Sequence, residues 1–95
     1  MISCAAGRCT LRGPVTIQNA AAVLEEGNRL FAADRVTLDL AAVTEVDSAA
    51  VSLLLEWRRA AGRRNQRIEF INLPDNLKSL AKLYGVTELI ETGEG

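Results

Sequence analysis

The chain has 95 residues, 48% of them apolar and 4% aromatic, with a formal net charge of -1. That length holds one domain with a modest core, and the near-balanced charge argues against a general nucleic-acid or membrane-surface role. No stretch reaches the roughly 18 consecutive apolar residues of a membrane span, and the start lacks the basic-then-apolar order of a secretory leader.

Cys4 and Cys9 are too few for a disulfide scaffold or a thiolate zinc site. Reduced thiols in a cytoplasmic setting are expected, with a Cys4–Cys9 bridge as the lesser alternative. Residues 1–7 and 91–95 are expected to be loose. An edge strand or hairpin is expected around Arg8 to Arg12, punctuated by Gly7, Gly13 and Pro14.

A first helix is predicted over Thr16 to Phe31, capped by Thr16. Ile17, Ala20, Ala21, Leu24 and Phe31 supply its inward stripe. Gly27 interrupts it, either to allow close packing or to end a first segment. Val36 to Leu40 reads as a strand, and Ala41 to Glu45 as a turn. A central helix follows from Ala49 to Ala61, with Ala50, Val51, Leu54 and Trp57 inward and Gly62 as its stop.

The Arg58, Arg59, Arg63, Arg64 and Arg67 run reads as a solvated helix end, favoured by the helix dipole. A docking patch for an acidic partner is the minority reading. Arg67 to Ile71 alternates as a strand. A third helix spans Asp75 to Tyr84, with Leu77, Leu80, Ala81 and Tyr84 inward and Gly85 as its C-terminal cap. Val86 to Ile90 forms a short last element. Strands alternating with helices predict an α/β fold, a single domain whose short mixed, mostly parallel sheet has helices packed against it.

Signs of catalysis are few. Histidine is absent, which removes the commonest general base and metal ligand. No phosphate-binding glycine loop follows a strand. The Asp47–Ser48 pair, between strand and central helix, carries the remaining interest. One of its side chains can cap the helix, worth about 1 kcal/mol. Ser48 can also serve as a regulatory hydroxyl, because a phosphate at a helix N-terminus is electrostatically favoured.

The segment Asp47-Ser48-Ala49-Ala50-Val51, in its strand–loop–helix setting, resembles the signature of the STAS domain family. That signature is Asp, Ser or Thr, a small residue, Gly and an aliphatic residue; Ala50 stands where Gly is usual. Leu80-Ala81-Lys82-Leu83-Tyr84 resembles the last helix of the MlaB-like branch. The likeness covers roughly residues 8 to 90.

The resemblance implies a non-enzymatic subunit without cofactors. Its expected partner is a MlaF-like ABC ATPase of a phospholipid-transport system that maintains outer-membrane lipid asymmetry. It would be cytoplasmic, held peripherally at the inner membrane through that complex, with no insertion and no nucleic acid. Ser48 matches the hydroxyl position of the family and Asp47 the acidic residue before it. Ala49 and Ser52 are expected beside them on the partner-facing surface, with Lys82 and Tyr84 bordering it. The alternative is an anti-anti-sigma factor whose Ser48 is phosphorylated by an anti-sigma serine kinase.

Overall fold

A computed structural model describes residues 1–91. Strands β1 (Ile2–Ala5), β2 (Arg8–Val15), β3 (Arg35–Val46) and β4 (Arg67–Ile71) form one sheet in the order β1-β2-β3-β4. Helices α1 (Ala20–Leu30), α2 (Ser48–Arg63), α3 (Asp75–Leu83) and the short α4 (Thr87–Glu91) complete the chain. β1 pairs with β2 antiparallel; β2 with β3 and β3 with β4 are parallel. This is the single mixed, mostly parallel α/β domain expected. The expected loose tail at 91–95 lies outside the described residues apart from the helical backbone of Glu91.

Alternation along the strands gives the sheet two unlike faces. Leu11, Val36, Leu38, Leu40, Ile68 and Phe70 point into the helices and are buried. Thr10, Thr37, Asp39, Glu69 and Ile71 keep partial solvent contact on the other face. α2 supplies the opposing layer through Ala50, Val51, Leu53, Leu54, Trp57 and Ala61, so its predicted inward face is correct. α1 meets it across Gly27. A Cβ built there would stand 2.4 Å from Trp57 Cζ2. Gly27 therefore serves close packing and does not end the helix. Trp57 also packs edge-on against Phe31, with ring centroids 5.0 Å apart.

Several expectations are corrected. Residues 1–7 are not loose, because Ile2 to Ala5 pairs in register with Leu11 to Arg8. The hairpin turns at Ala6 and Gly7, both at positive φ. Gly7 also lies so close to β3 that a Cβ would stand 2.7 Å from the Arg35 carbonyl oxygen. The turn places Cys4 opposite Cys9, and the two form a disulfide. The thiols are thus not free, contrary to the reading from cysteine count.

β3 does not turn at Ala41. It continues to Val46 because the end of β2 pairs with it, Arg12 with Ala42 and Val15 with Val46, across two register irregularities. α1 starts four residues late. Thr16 does not cap it; its carbonyl accepts from the Asn19 and Ala20 N–H groups in a separate turn. α2 passes Gly62 and stops at Asn65, which takes the left-handed conformation at φ 56. The Gln66 N–H closes onto the Ala61 carbonyl and the Asn65 N–H onto that of Gly62. Gly85 ends α3 by the same device, as predicted, with the Val86 N–H on the Ala81 carbonyl. Tyr84 is not an inward residue of α3, being 51% exposed.

Candidate docking site at the start of helix α2

Asp47 leaves β3 in an extended conformation, φ -135 and ψ -168, as the N-cap of α2. Its Oδ1 accepts from the Ala49 N–H at 2.9 Å. Its Oδ2 accepts from the Ile17 N–H, also at 2.9 Å. One carboxylate thus satisfies an orphan helix donor and fixes the loop between β2 and α1. Ser48 is the first helical residue, exposed, and its hydroxyl makes no hydrogen bond among the described residues. Capping belongs to Asp47, which leaves the Ser48 hydroxyl unengaged.

Ser52 follows one turn later and is exposed on the same side. Ser48, Ala49 and Ser52 line one wall of an open groove of about 480 Å³ between α1 and α2, with Leu53 and Glu56 farther along. The other wall is Ile17, Ala20, Ala21 and Leu24. These four belong to the stripe read from sequence as the core face of α1, whose fifth member, Phe31, is buried in the core as expected. Ile17 is instead 77% exposed. α1 meets the core through Val23 and Gly27, rotated about one residue step from that stripe. The helical period was real: Phe31 and Leu24 of the predicted stripe meet the core, while Ile17, Ala20 and Ala21 face the groove.

Asp47, Ser48, Ala49 and Ser52 are thus brought together. Lys82 and Tyr84 do not line this groove; they lie at the end of α3, a helix that packs on α2. Ile17 was missed as a surface residue, whereas Leu24 is half-buried and packs against the core as expected.

A scan against family models matches residues 2–91 to the family described as "Mlab, STAS domain". The chain belongs to the MlaB STAS-domain family. Membership makes it a regulatory, non-catalytic protein that works through protein partners. No curated protein sequence matches it. Among solved structures it is similar to the anti-sigma factor antagonist SpoIIAA in its unphosphorylated form. The TM-score is 0.74 at 12% identity, covering 95% of this chain and 84% of that one. It is also similar to part of Mglu, with a TM-score of 0.62 at 24% identity over 81% of this chain and 20% of that one. Both likenesses concern the fold.

Proposed function

We propose that this STAS domain is the accessory subunit of a phospholipid-transport ABC system and docks on its cytoplasmic ATPase through the start of α2. The observation that carries this reading is the exposed, unbonded Ser48 hydroxyl at the mouth of an apolar groove, in a family described by MlaB. The subunit does no chemistry. It offers a surface held in place by the Asp47 clamp and the Trp57–Gly27 contact. Binding stabilises one arrangement of the ATPase to the extent that this surface fits that arrangement better than others. The protein then resides on the cytoplasmic side of the inner membrane through its complex.

Ser48, Ala49 and Ser52 form the contact, with Asp47 as the residue that positions them. Lys82 and Tyr84, exposed on α3, extend it only where a partner reaches past α2. The test is co-purification of the ATPase with the tagged native chain. Ser48→Ala should bind near wild-type levels, and Ser48→Glu should lose most of the partner. Unchanged binding by Ser48→Glu would show that the contact is elsewhere.

The same free hydroxyl favours a second reading, an anti-sigma antagonist switched by phosphorylation of Ser48. A phosphate there would meet the unpaired N–H groups and positive end of α2. Recovery of a serine kinase in place of an ABC ATPase would decide for it.

A further inference from the structure

Each strand of the parallel part of the sheet opens with an arginine: Arg8, Arg35 and Arg67. The register places them at one end of the domain. Arg35 pairs directly with Arg67. Arg8 pairs with Thr37, two residues along β3 from Arg35 and on the same face. Like charges directly opposite one another across a strand pair are destabilising. Arg8, Arg35 and Arg67 form no ion pair among the described residues.

The helices end at the same place. α2 runs antiparallel to β3 for ~24 Å and finishes with Arg63 and Arg64. α1 finishes with Arg29 in its last turn. The Arg67 N–H on the Asp34 carbonyl, and Gln66 Nε2 on the Phe31 and Ala33 carbonyls, hold these ends together. Asp34 is an acidic residue of that end, and Glu69 lies one step in from it on the open face. Asp39, Glu45, Asp47 and Asp75 lie toward the opposite end, where β3 and β4 finish and α2 and α3 begin. A chain of net charge -1 is therefore strongly polarised.

We propose that this arginine end is a second docking surface, for a carboxylate-rich segment of a protein partner. It is separate from the Ser48 groove and does not rest on the reading of that groove. One feature favours carboxylates. The basic residues that open the strands and close α1 and α2 are all arginine, whose planar fork suits bidentate pairing with a carboxylate.

The probe is a fluorescein-labelled dodecaglutamate peptide titrated onto the whole chain, followed by anisotropy. Wild type should bind, and raising salt from about 50 to 200 mM should weaken binding at least fivefold. Arg35→Glu and Arg67→Glu should each lower affinity at least fivefold while far-ultraviolet circular dichroism stays unchanged. Arg12→Glu alters net charge equally but lies farther along the sheet, and should stay within about twofold of wild type. Ser48→Glu should also leave binding unchanged. Absence of binding, or equal loss in all variants, would overturn the proposal. Tighter adsorption to phosphatidylglycerol vesicles than to the peptide would overturn it in favour of a bilayer. Self-association abolished by Arg35→Glu would overturn it in favour of a second copy.

Discussion

Replacing Gly27 by Ala sets two effects of opposite sign against each other. In an exposed helix interior the change gains about 1 kcal/mol. Here the new methyl would stand 2.4 Å from the Trp57 ring, about 1 Å inside ordinary carbon contact. Trp57 cannot yield cheaply. It is 2% exposed, packs edge-on against Phe31, and its Nε1–H donates to the Leu24 carbonyl at 3.3 Å. Relief must come from α1 moving outward, which opens apolar contacts along Val23 and Leu30. Overpacking of this kind costs about 1–3 kcal/mol, and loss of the indole hydrogen bond about 1 more. The net expectation is a loss of about 2 kcal/mol, or about 10 °C in melting temperature. Urea denaturation followed by fluorescence is a direct assay, because Trp57 is the chain's single tryptophan. The emission maximum should also shift red as the ring loosens. A Gly27→Ala variant as stable as wild type would refute the packing argument.

Asp47→Ala removes two backbone hydrogen bonds and should cost about 1–2 kcal/mol, measured by denaturation; Asp47→Asn, which can accept only one of them without rearrangement, should fall between. Arg58 lies with its guanidinium 5.1 Å from the Phe70 ring centroid, while its Nε and Nη2 are buried without partners among the described residues. That burial lowers its pKa. The charge nevertheless persists across the accessible pH range. Arg58→Leu should therefore be neutral or stabilising by up to about 1 kcal/mol, with no new pH dependence; a loss above about 2 kcal/mol would mean that the cation over the ring outweighs its desolvation. Reduction of Cys4–Cys9 opens a short loop and should cost about 2 kcal/mol, seen as a lower urea midpoint with dithiothreitol while the fold is retained.

The parts of the fold that were legible in the sequence are those whose partners are diffuse. The alternation from Arg67 to Ile71 needed only an apolar layer on one side, and the predicted strand matches β4 at both ends. The buried face of α2 was likewise evident from its apolar breadth. Features set by one specific distant partner were not. Ala41 to Glu45 is extended only because Arg12 to Val15 lies beside it. The Cys4–Cys9 bridge depends on a two-residue turn that sets the hairpin register. The stripe from Ile17 to Leu24 showed a helix period, but period does not say whether a face meets the core or a groove. At the candidate site, the Asp47-Ser48 motif and its place before a helix were readable. The division of labour between them was not, because the Asp47 clamp is closed by the Ile17 N–H, 30 residues earlier.

The strand order has a kinetic consequence. Only β1 and β2 are joined by a tight turn; each of the other neighbouring pairs is parallel and waits for an intervening helix. The disulfide hairpin can therefore close within microseconds of collapse, whereas β3 finds β2 only after α1 has spanned the gap. β3 pairs with β2 along most of its length and with β4 from Arg35 to Asp39. Its docking is the step at which loop-closure entropy is repaid, so substitutions at Val36, Leu38 and Leu40 should slow refolding, whereas changes in α3 should mainly speed unfolding. On the ribosome the hairpin would emerge before β3 and α2 and wait, its inner face uncovered, until about fifty more residues had followed.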